Sequence, residues 1–259
     1  MDVVSDILQT VLGDNLWLVA GAGLAAFLAS VLSGMAGYGA GLILPVFIAP
    51  LVGVEYVVPV LAVALVFNNA GRVLAFRRDI DWTRVRRILI VAAPMSALGA
   101  YGYAALDVRW VAILLGGFLL LSLPLRRWMA RLKLTIGAAG ERTGAALFGF
   151  INGGMTGTGL FLITILMAAG LDGVVLIATD AVISACLGLL KIVVFSQLAL
   201  LTTTKTVLGL LIGVCTLPGG FVARHLLIRI PGRVHMFILE GVVALGAVLL
   251  IWKGLHPGG

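Results

Sequence analysis

The chain of 259 residues has few charged residues, few cysteines and no cluster of metal-ligating or catalytic side chains. Charged residues make up 11% of the sequence, against roughly 25% in an average soluble domain. The two cysteines, Cys186 and Cys215, lie in apolar stretches without ligand spacing, so neither a disulfide nor a metal site is predicted. No Ser/His/Asp set, nucleotide-binding loop or paired-carboxylate site is apparent. We therefore expect neither an enzyme nor a cofactor.

Apolar residues are abundant instead and make up 61% of the sequence. Apolar runs of about 18 residues or more recur along the chain, which is typical of bilayer-spanning helices. The net charge of +7 comes from basic residues between these runs, as the positive-inside rule describes, so we expect a lipid bilayer and no nucleic acid as partner. The acidic N-terminus lacks the basic region of a cleavable signal peptide. The predicted fold class is an all-α polytopic membrane protein.

A glycine-rich motif occurs twice. Gly34-Met-Ala-Gly37-Tyr-Gly39 and Gly154-Met-Thr-Gly157-Thr-Gly159 align as G-M-x-G-x-G, 120 positions apart. A short apolar segment follows each motif, at 41–53 and at 160–170. At 1.5 Å per residue such a segment is too short to cross a hydrocarbon core of about 30 Å. Each motif is therefore predicted to break a membrane helix.

The motifs divide the chain into two repeats of about five helical segments, each with a glycine-broken short helix pair. We predict a first membrane repeat over 1–125, a basic cytoplasmic linker over 126–142 and a second membrane repeat over 143–259. An odd number of segments places the second repeat upside down relative to the first. Basic residues concentrate in a loop over 77–87, in the linker and in a loop over 224–233. This bias predicts inverted repeats with both termini outside the cytoplasm.

Broken helices at mid-membrane expose backbone N–H groups, which together with the helix dipole attract anions. Glycine permits the close approach of a ligand to that backbone. The alternative is that the glycines only allow tight packing between helices. Because the motif occurs twice in matched positions, we favour the interpretation as a ligand site over packing alone.

Ionisable residues within apolar segments are costly and usually functional. Lys191 and Arg72 occupy equivalent positions of the two repeats, and both suit an anionic substrate. The alternatives are that Arg72 reaches the cytoplasmic face and that Lys191 pairs with Asp180. In a regular helix those two positions share a face but do not touch, so Asp180 needs another partner, a proton or a cation. The candidate substrate-binding residues are Gly37, Tyr38, Gly39, Gly41, Asn68, Asn69, Arg72, Gly157, Thr158, Gly159, Thr179, Asp180 and Lys191.

The two glycine motifs, the loop Arg77-Arg78-Asp79-Ile80-Asp81-Trp82 and the stretch Leu176-Ile-Ala178-Thr179 resemble the TauE/SafE family of sulfite exporters, also called the toluene sulfonate uptake permease family. The resemblance implies a transporter of sulfur-containing anions, such as sulfite, thiosulfate or organosulfonates, in the cytoplasmic (inner) membrane. Ala40 and Leu160 stand where the family commonly has glycine.

The expected function is secondary transport of a small sulfur-containing anion by alternating access. An anion channel and a non-transporting membrane scaffold are the alternatives. The sequence leaves open the exact substrate, import or export, proton coupling and homo-oligomerisation.

Overall fold

The computed structural model describes residues 16–36, 39–131, 135–226, 244, 247–248 and 251–252, and within these ranges every regular element is helical. The predicted all-α fold is therefore confirmed for the described residues. The helices are α1 (Leu16–Ala36), α2 (Ala40–Val52), a 3-10 turn (Val54–Tyr56), α3 (Val57–Phe76), α4 (Trp82–Ala104), α5 (Val108–Arg131), α6 (Ala138–Gly154), α7 (Gly159–Ala168), α8 (Gly173–Gln197), α9 (Thr203–Thr216) and α10 (Gly219–Leu226).

In the described part of the chain, three helical stretches are long and apolar enough to span a membrane: Val54–Phe76, Gly173–Gln197 and Thr203–Ala223. Large apolar side chains on several helices point away from the interior, among them Leu24, Ile90, Leu121, Val193 and Val214. An apolar outer surface of this kind requires lipid rather than water. The protein is a multi-pass membrane protein.

The two short segments form helices α2 and α7, as predicted. Each begins next to a glycine motif, and each motif contains a glycine with positive φ: +130° at Gly39 and +77° at Gly157. Only glycine adopts these conformations without strain, which explains why the helix breaks at these positions. Pro45 and Pro50 lie within α2.

Two predicted boundaries differ in the structure. The basic loop was expected to extend over 77–87, but α4 already begins at Trp82, because the Asp81 side chain accepts a hydrogen bond (2.9 Å) from the backbone N–H of Arg84 and caps the helix. Within the stretch Thr203–Ala223, a turn at Leu217 and Pro218 separates α9 from α10. Residues 126–131 belong to α5 and residues 138–142 to α6, so part of the predicted linker is helical. The division into two repeats and a linker stays a prediction.

Helices α3 and α8 form the centre of the molecule and pack against each other. Residues 57–64 of α3 and 176–183 of α8 are buried without interruption, on every face of the helix. Helix α2 packs on α3 and α7 packs on α8, while α9 and α4 flank this central pair. The glycine-broken ends are thereby held against the middle of the two central helices.

The first glycine of each motif lies at a helix–helix contact. A Cβ atom on Gly34 would come 2.5 Å from the Cβ of Ala223 in α10. A Cβ on Gly154 would come 3.3 Å from the carbonyl oxygen of Gly99 and 3.6 Å from the Cβ of Tyr103, both in α4. These two glycines therefore allow tight packing between helices, as the alternative interpretation of the motifs predicted.

At one end of α4, Arg84 forms an ion pair with Glu141 of α6. Arg84 also donates a hydrogen bond (3.1 Å) to the carbonyl oxygen of Ala169, which follows α7. One side chain therefore joins α4, α6 and the end of α7 on the side where the predicted topology places the cytoplasm.

We predict that Gly153→Ala destabilises the protein by about 1–3 kcal/mol, the usual cost of overpacking. Its new methyl group would collide with backbone atoms of Ser96, Gly99 and Ala100 and force α4 away from α6. Thermal unfolding in detergent measures the effect. The control is Gly102→Ala in α4, where nothing lies within 4 Å of the added carbon. Equal melting temperatures for the two variants would contradict this packing.

Candidate functional site

A polar cavity of about 60 Å³ lies between α3, α8 and the two glycine motifs. One water molecule needs about 10–15 Å³ of such volume, so the cavity has room for roughly four to six water-sized groups, enough for one small oxyanion. Ten of the predicted substrate-binding residues line it: Gly39, Gly41, Asn68, Asn69, Arg72, Gly157, Thr158, Gly159, Asp180 and Lys191.

The two glycine motifs meet at this cavity although they are far apart in sequence. Gly41 touches Gly157 so closely that a Cβ on Gly41 would come 2.5 Å from the backbone nitrogen of Gly157. Helices α2 and α7 both begin there, since Gly39, Gly41 and Gly159 line the cavity. The positive ends of both helix dipoles therefore lie at one site, which favours an anion.

Arg72 and Asp180 form a buried ion pair between α3 and α8. The distance from Arg72 Nη2 to Asp180 Oδ2 is 2.7 Å, and the side chains are only 2% and 1% exposed. Arg72 also donates hydrogen bonds to the Ile177 carbonyl oxygen and to Asn69 Oδ1, each at 3.2 Å. Arg72 thus does not reach the surface in this structure. The partner that Asp180 requires is this arginine.

Lys191 also lies in the cavity wall but has a different environment. Its side chain is 4% exposed. Its ammonium group donates a hydrogen bond (3.1 Å) to the backbone carbonyl oxygen of Asn152 at the end of α6. Among the described residues, no carboxylate forms an ion pair with it, so the alternative pairing with Asp180 is not formed. The ammonium group carries three N–H donors and therefore keeps donors available for a ligand.

Asn152 connects Lys191 to the second glycine motif. Its Nδ2 donates a hydrogen bond (2.7 Å) to Thr158 Oγ1, so the Thr158 hydroxyl remains able to donate. Several buried polar atoms of the wall have no hydrogen-bond partner within the described part of the chain: Asn68 Oδ1, Arg72 Nε, Asn152 Oδ1, Thr156 Oγ1 and Asp180 Oδ1. Buried polar atoms are normally satisfied, so this concentration indicates that a ligand or water completes the site.

Three predicted residues are not seen in the wall. Thr179 is buried, but its hydroxyl accepts a hydrogen bond (3.1 Å) from the backbone N–H of Asp81 and thereby fastens the α3–α4 turn to α8. Gly37 and Tyr38 lie outside the described residues.

The comparison with known protein families identifies the family of this chain. The family model described as Sulfite exporter TauE/SafE matches residues 22–250, which is most of the chain. The protein belongs to the TauE/SafE family. Comparisons with curated proteins and with solved structures found no match. The resemblance stated from the motifs is confirmed, and with it the assignment to a family of membrane transporters rather than enzymes.

The sequence analysis missed four polar residues and one glycine of the wall in this TauE/SafE protein: Ser33, Asn152, Thr156, Ser184 and Gly188. Asn152 could have been identified as an amide within an apolar segment, two residues before the second motif. Ser184 lies one helical turn after Asp180 and therefore on the same face of α8. Ser33, next to the first motif, gives no comparable signal.

We predict that Asp180→Asn lowers the free energy of unfolding by about 3–5 kcal/mol, because it leaves the buried Arg72 without its counter-charge. The double variant Arg72→Gln/Asp180→Asn removes both charges and should recover most of this loss. Thermal unfolding of the wild type, Asp180→Asn, Arg72→Gln and the double variant in detergent tests the coupling. If the two substitutions destabilised the protein additively, the ion pair would not be formed in solution.

Proposed function

We propose that this TauE/SafE protein is a secondary transporter of the cytoplasmic membrane that carries a small sulfur-containing anion by alternating access. Sulfite, thiosulfate and organosulfonates are the candidate substrates. The observation that carries the proposal is the position of Lys191, a buried cation that pairs with no carboxylate among the described residues, in the wall of a cavity where both glycine motifs meet.

An anionic substrate accounts for the energetics of this cavity. A buried ammonium group is unfavourable unless charge or hydrogen bonds compensate it. Among the described residues, the hydrogen-bond partner of Lys191 is one neutral carbonyl oxygen, and the starts of α2 and α7 add partial positive charge to the same site. In our proposal the substrate supplies the missing negative charge. Lys191 neutralises it, the two helix starts provide backbone donors, and Asn68, Asn69 and Thr158 offer hydrogen bonds.

Inverted repeats that rock around the cavity would give both sides of the membrane access to it. Reciprocal packing between the halves supports this architecture. Helix α4 packs along α6, and α9 and α10 pack along α1. The close pair Gly154 and Tyr103 has its counterpart in Gly34 and Ala223, each residue displaced by 120 positions. Such exchange of equivalent contacts is what a pseudo-twofold relation between two repeats requires.

Anion flux into proteoliposomes tests the function. We expect saturable flux of sulfite, thiosulfate or a small organosulfonate in the wild type, and at least about a hundredfold loss in Lys191→Ala, since the substrate would lose its buried counter-charge. Lys205→Ala is the matched control, because Lys205 lies over the ring of Tyr56 and does not line the cavity.

Three outcomes would contradict the proposal. Equal flux in wild type and Lys191→Ala would place the site elsewhere. Single-channel currents would identify a channel. Absence of flux for all four anions, with sulfate included, would favour a non-transporting scaffold.

Cysteine labelling tests the inverted topology separately. Thr83 and Thr203 are both exposed and are 120 positions apart, so they occupy equivalent positions. In a background with Cys186 and Cys215 replaced by serine, Thr83→Cys and Thr203→Cys should react with an impermeant maleimide from opposite sides of the membrane. Labelling of both from one side would contradict the inversion.

A further inference from the structure

The ionisable side chains in the cavity wall determine its net charge. Among the described residues, three ionisable side chains lie in its wall: Arg72, Asp180 and Lys191. The first two are an arginine and a carboxylate at 2.7 Å, and their charges cancel. Lys191 is left as a single positive charge whose protein partner is a neutral carbonyl oxygen.

The net charge of the cavity wall does not depend on which of these groups are paired. If a substrate displaced Asp180 from Arg72, the carboxylate would still stand in the same wall and its charge would still contribute. All three side chains are at most 4% exposed, so water and salt screen their charges far less than surface charges are screened. The sum of charges, protein plus substrate, therefore determines how well a substrate is accommodated.

We infer that the cavity selects a singly charged oxyanion, of the type R–SO₃⁻ or HO–SO₂⁻, and rejects doubly charged ions of similar size, which removes thiosulfate, a dianion at neutral pH, from the candidate substrates. A monoanion brings the sum to zero. A dianion leaves one negative charge uncompensated in the membrane interior, which is strongly unfavourable. This inference rests on the proposed function, because it names the charge state of the anion that the same cavity carries.

Methanesulfonate and sulfate form a suitable pair of probes. They share the SO₃ group, differ by a methyl group in place of a charged oxygen, and keep their charges at neutral pH. The readout is the ratio of their fluxes in proteoliposomes at one pH, so that differences in protein yield cancel. In the wild type we expect this ratio to exceed about one hundred, the factor that corresponds to one uncompensated buried charge.

An added positive charge should weaken the preference for the monoanion. Met155 lines the cavity and is not a member of the ion pair, and lysine has a similar length, so Met155→Lys adds one positive charge to the wall. We expect the ratio to fall at least about tenfold in Met155→Lys and to stay high in the neutral control Met155→Gln. The double variant Arg72→Gln/Asp180→Asn keeps the sum of the charges unchanged, so its ratio should also stay high, whereas Asp180→Asn alone should lower it.

The results separate this inference from the proposed function. Comparable wild-type flux of sulfate and methanesulfonate would overturn the inference and leave the transporter intact. An unchanged ratio in Met155→Lys and Asp180→Asn, provided that either is folded, would also overturn it. If neither ion were transported, the proposed function would depend on the flux of sulfite. Calorimetric binding of the two ions to the detergent-solubilised protein would then decide whether the cavity prefers the monoanion.

Discussion

The structure depends on one electrostatic constraint: a carboxylate and a guanidinium group are buried together between its two central helices. Arg72 belongs to the first half of the chain and Asp180 to the second, and neither charge is tolerable in a membrane interior without the other. The pair therefore fixes the position of α3 against α8. Because α2 and α7 pack on these helices, it also fixes where the two glycine motifs meet.

The glycine motifs serve two purposes, and the structure separates them. The first glycine of each motif, Gly34 or Gly154, lets two helices touch. The later glycines that the structure describes, Gly39, Gly157 and Gly159, lie where α2 and α7 begin and line the cavity. The packing and ligand-site interpretations of a glycine cluster are thus not exclusive. Within one motif they apply to positions only a few residues apart.

Local patterns predicted most of the fold. The length of the apolar runs predicted the helices, and the glycine motifs predicted the helix breaks before α2 and α7. The start of α4 was misplaced although its signal was present, since Asp81 is a common N-cap residue three positions before Arg84. Long basic side chains after it suggested a loop, but they continue along the first turns of the helix.

Tertiary contacts explain what the sequence did not reveal at the site. Helical spacing showed that Asp180 and Lys191 do not touch, yet it could not identify Arg72, 108 residues away in the chain, as the partner of Asp180. Asn152 contributes its backbone carbonyl oxygen, which accepts a hydrogen bond from Lys191. Every residue has such a carbonyl, so the sequence does not show which one bonds to Lys191. Thr179 was expected in the cavity because it precedes Asp180, but a rotation of about 100° per residue turns it to another face of the helix.

That rotation places Thr179 where it joins two regions of the protein. Its hydroxyl holds the backbone N–H of Asp81, and the Asp81 side chain caps α4. The next residue of α8 is Asp180, which pairs with Arg72 in the cavity wall. Any displacement of this part of α8 must therefore stretch the Asp81 contact or carry the beginning of α4 with it. The state of the buried ion pair is thus mechanically coupled to the helix end that Arg84 joins to α6 and α7.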